Sequence, residues 1–127
     1  MTYCVGLLLD DGLVMAADTR TNAGVDNVGK FKKLHTWSKP GERVFVLLTA
    51  GNLAVTQAVV SMLSEGTLER KTKGAPANLF SVKTMFQAAR LVGQAIREVK
   101  RVDGESLSAG SDAFAASFIF GGQIGKE

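Results

Sequence analysis

Two apolar runs separated by a short polar turn predict a β-hairpin at the start of the chain. Apolar side chains dominate residues 2–9, and a second apolar run covers residues 13–17. Between them stands an Asp-Asp-Gly turn at 10–12, whose glycine is free to adopt positive φ. Because the first run is apolar on both faces, it is typical of a strand that is covered on both sides.

Two further strands are predicted before the middle of the chain. Residues 21–29 carry Asn, Gly and Asp and are expected to form a loop. Residues 30–37 alternate roughly and predict a third strand, which ends in a turn at 38–42. Residues 43–49 are again apolar on both faces and predict a fourth, well-covered strand.

Helical periodicity begins after this fourth strand. A first helix is predicted from about Leu53 to Glu65, with Asn52 or a nearby group as its N-terminal cap. The second helix has the clearest pattern in the chain, and basic residues near its end suit the helix dipole. Its predicted buried positions recur at helical spacing over about five turns: Val82, Met85, Phe86, Ala89, Val92, Gly93, Ile96 and Val99.

A last strand is predicted over residues 114–120, with a bulge at Gly121-Gly122 where it ends. Loops are expected at 71–77 and 103–111. The order of four strands, two helices and a strand indicates an α+β fold in which helices cover one face of antiparallel strands.

Composition narrows the class of protein. The chain has 127 residues, 46% of them hydrophobic and 21% charged, which fits one globular domain or a piece of one. Its net charge of +3 is mild and scattered, so it argues only weakly for nucleic-acid binding. The single cysteine, Cys4, favours a reducing compartment, and no secretory signal or membrane span is evident. We therefore expect a cytoplasmic protein that acts on neither membranes nor nucleic acids.

Thr2 is the first candidate for chemistry. If Met1 is removed, Thr2 begins the first predicted strand, with a hydroxyl nucleophile and an amine base on the same residue. An α-amino group titrates near ~8, so it can act as a base close to neutral pH. The sequence gives less support to a metal site or a phosphate-binding site. Its one histidine, His35, and its one cysteine are too few for a zinc site, and Gly121-Gly122 lacks the pattern of a phosphate loop.

Several segments together resemble the proteasome β-type subunits, which are N-terminal nucleophile hydrolases. They are the Met-Thr-Tyr-Cys-Val-Gly-Leu start, Asp-Thr-Arg-Thr-Asn-Ala-Gly-Val-Asp from Asp18, the Lys-Lys-Leu of the third strand and Leu-Leu-Thr-Ala-Gly-Asn-Leu. Within that family they resemble the bacterial ancestral β-subunit group, Anbu. The resemblance covers the whole chain and implies an αββα four-layer sandwich of the α+β class, of which this chain is the N-terminal half.

The resemblance also implies four catalytic residues. Thr2 corresponds to the nucleophile, Asp18 to the carboxylate that orients the site, and Lys33 to the buried lysine beside the nucleophile. Gly51 corresponds to the residue whose backbone N–H faces the oxyanion. Each residue alone also has an ordinary structural interpretation. In the order just given, these are an ordinary second residue, a turn former at a strand end, a solvated lysine and a plain strand-to-helix turn. The preserved order of all four favours the catalytic interpretation.

The function implied is a threonine-type endopeptidase that hydrolyses peptide or other amide bonds without a cofactor or metal. Its expected partners are peptide or protein substrates, other copies of itself in a large ring or open ring, and an ATPase unfoldase. Two alternatives remain: a catalytically silent subunit that only builds rings, and the peptidase of the bacterial two-component ATP-dependent protease.

Domain organisation follows from the same resemblance. Residues 1–127 are expected to form a single proteasome-type domain that is truncated at its C-terminus, because the family's later strands and helices have no counterpart here. The later serine and aspartate that support the nucleophile in active relatives are absent with them. Exposure of the Thr2 amine is expected to depend on removal of Met1.

Overall fold

The computed structural model describes residues 2–22, 28–65, 78–103 and 115–126. Within them the chain forms seven strands and two helices: β1 (Cys4–Leu9), β2 (Gly12–Ala17), β3 (Arg20–Asn22), β4 (Val28–Lys30), β5 (Leu34–Lys39), β6 (Arg43–Gly51), α1 (Leu53–Glu65), α2 (Met85–Asp103) and β7 (Ala116–Ile124).

The predicted first hairpin is confirmed, with its strands in antiparallel register from Cys4 opposite Ala17 to Leu9 opposite Gly12. Strand β1 begins at Cys4, so Thr2 precedes the strand rather than opening it. This places Thr2 just beyond the regular ladder, where its side chain is exposed.

The segment between the first hairpin and the third predicted strand differs from expectation. Residues 21–29, predicted as a loop, include parts of β3 and β4, which pair from Arg20 opposite Lys30 to Asn22 opposite Val28. Lys30 therefore belongs to β4, and the third predicted strand begins at Leu34 as β5. The period-2 pattern could not separate the two strands because only three residues, 31–33, lie between them.

Strands β5, β6 and β7 form one antiparallel sheet with β6 in the centre. The bulge predicted at Gly121-Gly122 is wrong, because Gly121 pairs with Val46 and Gly122 with Phe45 in an unbroken ladder. At Gly122 an added Cβ would lie 2.3 Å from the Val44 carbonyl oxygen. Close strand contact, rather than a change in backbone direction, therefore explains this glycine.

Helix α1 has the predicted bounds and the predicted cap. The Asn52 side-chain oxygen accepts a hydrogen bond from the Val55 amide at 3.2 Å, which satisfies one of the free N–H groups of the first turn. Val55, Val59 and Leu63 are buried, as the helical period predicts. Neither helix of the described residues has the length and apolar character needed to cross a membrane.

Helix α2 is confirmed from Met85 onward, so Val82, predicted as its first buried position, is buried but precedes the helix. The buried face of α2 is also rotated from the expected one. The residues it buries completely or nearly so are Ala88, Leu91, Val92, Ala95 and Val99. Phe86, predicted for the core, is 74% exposed, and Ala89 is exposed as well. The apolar stripe of α2 is wide enough to fit two orientations, and packing against α1 and β7 selects one of them.

The two faces of the β5-β6-β7 sheet are covered differently. Phe45 of β6 and Phe120 of β7 stack with ring centroids 5.7 Å apart, and both pack among the residues of α1 and α2. Because side chains alternate along a strand, positions 119 and 121 of β7 face the other side of the sheet. There the Ile119 side chain lies near Gly6, and the Leu13 side chain lies near Gly121, so the first hairpin covers this face. The order is therefore helices, sheet, sheet, which gives three layers of the αββα sandwich.

The outer face of the β1-β2 hairpin is uncovered within the described residues. Leu7, Leu9 and Val14 lie on this face and are 47%, 55% and 50% exposed. The sequence predicted cover on both sides of this strand, and the αββα fold places its fourth, helical layer here.

Candidate active site

Three of the predicted site residues, Thr2, Asp18 and Lys33, meet at the open end of the β1-β2 hairpin. The Lys33 ammonium donates a hydrogen bond to the Thr2 hydroxyl, with 3.2 Å between Nζ and Oγ1. Lys33 is only 5% exposed, whereas Thr2 is exposed. The lysine therefore approaches the hydroxyl from inside the protein and leaves the outer side of Thr2 open to a substrate.

The Lys33 charge is balanced by Asp18. Its Nζ lies 3.0 and 3.1 Å from the two carboxylate oxygens, and it also donates to the Arg20 carbonyl oxygen at 2.5 Å. A buried ammonium without such partners would carry a large desolvation cost. The Asp18 and Arg20 contacts explain how a charged lysine can be held beside Thr2.

Asp18 is held in turn by the end of the hairpin ladder. Its amide donates to the Tyr3 carbonyl oxygen at 3.0 Å, and the Tyr3 amide donates to Asp18 Oδ1 at 2.8 Å. The Tyr3 amide and the Lys33 ammonium, with a weaker bond from the Arg20 amide, lower the pKa of the Asp18 carboxyl below its ordinary value. Asp18 therefore stays ionised throughout the neutral range.

The backbone of Lys33 is fixed by β6. The Thr49 amide donates to the Lys33 carbonyl oxygen at 2.9 Å, and the Thr49 hydroxyl approaches the same oxygen at 3.4 Å. The Thr49 carbonyl oxygen accepts from the Cys4 thiol of β1 at 3.6 Å. Burial and the nearby Asp18 charge raise the pKa of that thiol, which keeps Cys4 neutral. Thr49 thus connects both sheets directly behind the Thr2–Lys33 pair.

Gly51, the fourth predicted residue, stands at the end of β6, two residues beyond Thr49. Its φ of +103° and the 2.3 Å that would separate an added Cβ from the Ala115 carbonyl oxygen both require glycine. Among the described residues, hydrogen bonds connect Thr2, Asp18 and Lys33 but do not join Gly51 to Thr2. Its role toward an oxyanion remains a prediction.

The geometry limits the roles of the charged groups. A lysine ammonium has three N–H donors and no lone pair, and the contacts to Thr2, Asp18 and Arg20 can use all three donors. In this form Lys33 can stabilise negative charge on the Thr2 oxygen but cannot accept its proton. A base must therefore come from elsewhere, and the α-amine of a processed Thr2 is the group that the sequence supplies.

Sequence reasoning missed the contributions of Tyr3, Arg20 and Thr49. Tyr3 and Arg20 act through backbone groups, so no side-chain pattern could have revealed them. Thr49 was visible only as part of the strand-to-helix turn. Within the described residues, no three His, Cys, Asp or Glu side chains lie together as a potential metal site.

Solved structures resemble the chain over its full length. A mutant of Anbu from Hyphomicrobium sp. strain MC1 is 54% identical, with a TM-score of 0.83 over 100% of this chain and 50% of that chain. Anbu (ancestral beta-subunit) from Yersinia bercovieri is 42% identical, with a TM-score of 0.81 over 100% and 49%. A structure entitled "Helical Assembly of the Anbu Complex from Pseudomonas aeruginosa" is 41% identical, with a TM-score of 0.83 over 100% and 50%.

No family model and no curated protein matches the chain. The chain spans about half the length of the solved structures it matches. The layered fold, together with the threonine, lysine and aspartate at the end of its first hairpin, defines a proteasome-type β-subunit of the N-terminal nucleophile class. Within that class the chain belongs to the Anbu group.

Proposed function

We propose that this chain carries the nucleophile of a threonine-type peptidase that hydrolyses peptide or other amide bonds. The observation that supports this most is the 3.2 Å contact between Lys33 Nζ and Thr2 Oγ1, with Asp18 balancing the lysine charge. A cation at this distance favours the alkoxide form of the hydroxyl, because it lowers the energy of developing negative charge.

In the proposed reaction, the Thr2 oxygen attacks the carbonyl carbon of the scissile amide. The hydroxyl proton passes to the free α-amine of Thr2, directly or through a water molecule. The tetrahedral intermediate then collapses, the carbon–nitrogen bond breaks, and the α-ammonium returns the proton to the leaving amine. An ester between the substrate acyl group and Thr2 remains.

Hydrolysis of this ester completes the cycle. A water molecule gives up a proton to the α-amine and attacks the ester carbonyl. The bond between the carbonyl carbon and Thr2 Oγ1 then breaks, the α-ammonium returns the proton to Oγ1, and the acyl group leaves as a carboxylic acid. Both tetrahedral intermediates carry an oxyanion, for which we assign the Gly51 backbone N–H as the donor. Donors of this kind are worth roughly 10²–10³ in rate.

Replacement of the nucleophile tests the proposal in the full-length protein. We expect Thr2→Ala to abolish hydrolysis of a panel of fluorogenic peptides, and Thr2→Ser to retain part of it. Intact-mass measurement of each preparation must show loss of Met1, because a retained Met1 blocks the base. Undiminished turnover by a processed Thr2→Ala protein would end the nucleophile assignment.

A second candidate is an assembly subunit without turnover. The helical assembly described for the Pseudomonas aeruginosa relative supports self-association of this chain into a large homo-oligomer. We propose that this association accompanies catalysis and that an ATPase unfoldase supplies protein substrates. The single cysteine favours a reducing compartment, so we place the reaction in the cytoplasm. Assembly of a fully processed wild-type protein that cleaves no peptide would favour the silent subunit instead.

A further inference from the structure

The outward face of α2 is unlike an ordinary solvated helix face. Phe86, Ala89, Arg90 and Arg97 are exposed there, and Gly93 lies among them; we call these five residues the α2 outer face. Phe86 is 74% exposed, although the helical pattern of the sequence predicted it for the core. The packing of this helix thus leaves an aromatic ring outside, flanked by two arginines.

Gly93 adds a second observation. A mid-helix glycine costs about 1 kcal/mol relative to alanine, so it needs a reason. Packing within the described residues does not require a glycine here. An added Cβ would meet only the flexible end of the Arg97 side chain, whose Nη1 would lie 3.3 Å away. The glycine leaves a notch on the helix surface over which the Arg97 guanidinium folds back.

The α2 outer face also carries positive charge that the described residues do not balance. The one acidic side chain of α2 that they place in an ion pair is Glu98, which binds Arg101 at 2.6 Å. The described ion pairs leave Arg90 and Arg97 without an acidic partner. Exposed aromatic and arginine side chains around a small residue, without acids, have the composition of an interface core.

A complementary surface exists on the same chain. The turn between β1 and β2 presents Asp10 and Asp11, both exposed, shortly after Leu8, which is 85% exposed and lies on the hairpin face opposite to that of Leu7 and Leu9. We call residues 8–11 the hairpin tip. It combines two adjacent carboxylates with the apolar side chain of Leu8, which matches the arginines and the phenylalanine of the α2 outer face in both charge and polarity.

We propose that the hairpin tip of one copy of this protein docks on the α2 outer face of the next copy. Asp10 and Asp11 would pair with Arg90 and Arg97, which are about 10 Å apart along the helix and long enough to converge. The Leu8 side chain would pack on Phe86. Because the two surfaces differ, the contact is head-to-tail and builds an open or closed series of subunits. This inference rests on the self-association proposed above.

Charge reversal in the full-length protein tests the contact, with sedimentation velocity measured over a range of concentrations. We expect R90E/R97E and D10K/D11K each to weaken association at least tenfold. The two pairs of substitutions combined should restore it to within about threefold of wild type. K32E/K126E makes the same change in net charge as R90E/R97E at two exposed lysines outside α2 that the described ion pairs also leave without an acidic partner, and it should leave association unchanged. A thermal melt of each variant confirms that it is folded.

The outcomes separate this contact from the proposed function. Association that R90E/R97E leaves unchanged overturns the contact alone. If R90E/R97E and D10K/D11K each weaken association but the combined variant does not recover it, the hairpin tip is not the segment that binds the α2 outer face. A wild-type protein that sediments as a monomer throughout overturns self-association itself, and this contact with it, while leaving the Thr2 chemistry to be judged by peptide hydrolysis.

Discussion

Lys33 Nζ lies 3.2 Å from the Thr2 hydroxyl oxygen while it holds both carboxylate oxygens of Asp18 at 3.0 and 3.1 Å. The lysine is buried and its partners fix its direction, so its charge is held beside the exposed Thr2 hydroxyl. This arrangement makes the effect of each member on activity and on stability predictable.

Loss of the lysine should reduce activity severely. We expect Lys33→Ala in the full-length protein to lower kcat/KM for peptide hydrolysis by at least ~10², in the range of one positioned acid–base group. Lys32→Ala is the matched control, because Lys32 is the adjacent residue but is exposed. A loss below roughly threefold for Lys33→Ala would show that its contact with Thr2 has no catalytic role.

Asp18→Asn should have a smaller effect on activity than Lys33→Ala, since Asp18 acts on Thr2 through the lysine. Its effect on stability should depend on pH. The fold lowers the pKa of Asp18, so its stabilising contribution is complete above the ordinary value of 3.8 and is lost as the pH falls through the folded value.

Unfolding by denaturant at several pH values measures this dependence. The difference in free energy of unfolding between wild type and Asp18→Asn should be constant near neutral pH and shrink once the pH falls below about 3.8. A difference that stays the same down to pH 2 would contradict the ion pair as the source of the shift.

His35 should make the protein less stable in mild acid. Burial, with a smaller contribution from Lys32, lowers the pKa of this imidazole below 6.5 in the folded state. The unfolded chain therefore takes up a proton first as the pH falls below 6.5, and the free energy of unfolding decreases from that point to the folded pKa. His35→Gln should flatten the pH dependence relative to wild type in this window. Parallel curves for the two proteins would refute the assignment.

Gly51→Ala should destabilise the full-length protein by at least ~2 kcal/mol, because strained φ and collision with the Ala115 carbonyl act together. Gly41→Ala is the control that separates these causes. Gly41 also has positive φ, +79°, but an added Cβ there meets nothing within 4 Å. We expect it to cost about 1 kcal/mol in denaturant unfolding. Equal losses at both sites would mean that the collision is relieved by a shift of Ala115.

Much of this protein follows from its sequence. The Asp-Asp-Gly turn between two apolar runs determined the first hairpin, and Asn52 with its following apolar period determined the start and length of α1. These features are local, so neighbouring residues are enough to specify them. The motifs that resemble the proteasome β-subunits also indicated the threonine, aspartate and lysine that lie together at the end of this hairpin.

Only the tertiary structure decided which of these residues meet and which face of α2 is buried. Lys33 reaches Thr2 because Thr49 of β6 holds its backbone and Arg20 accepts its third N–H, and both contacts join residues far apart or use backbone atoms that leave no mark in the sequence. Phe86 is outside because α1 and β7 pack against Ala88, Leu91 and Ala95 instead. A periodic pattern specifies that a helix has an apolar side, but the shape of the surfaces it meets selects the orientation.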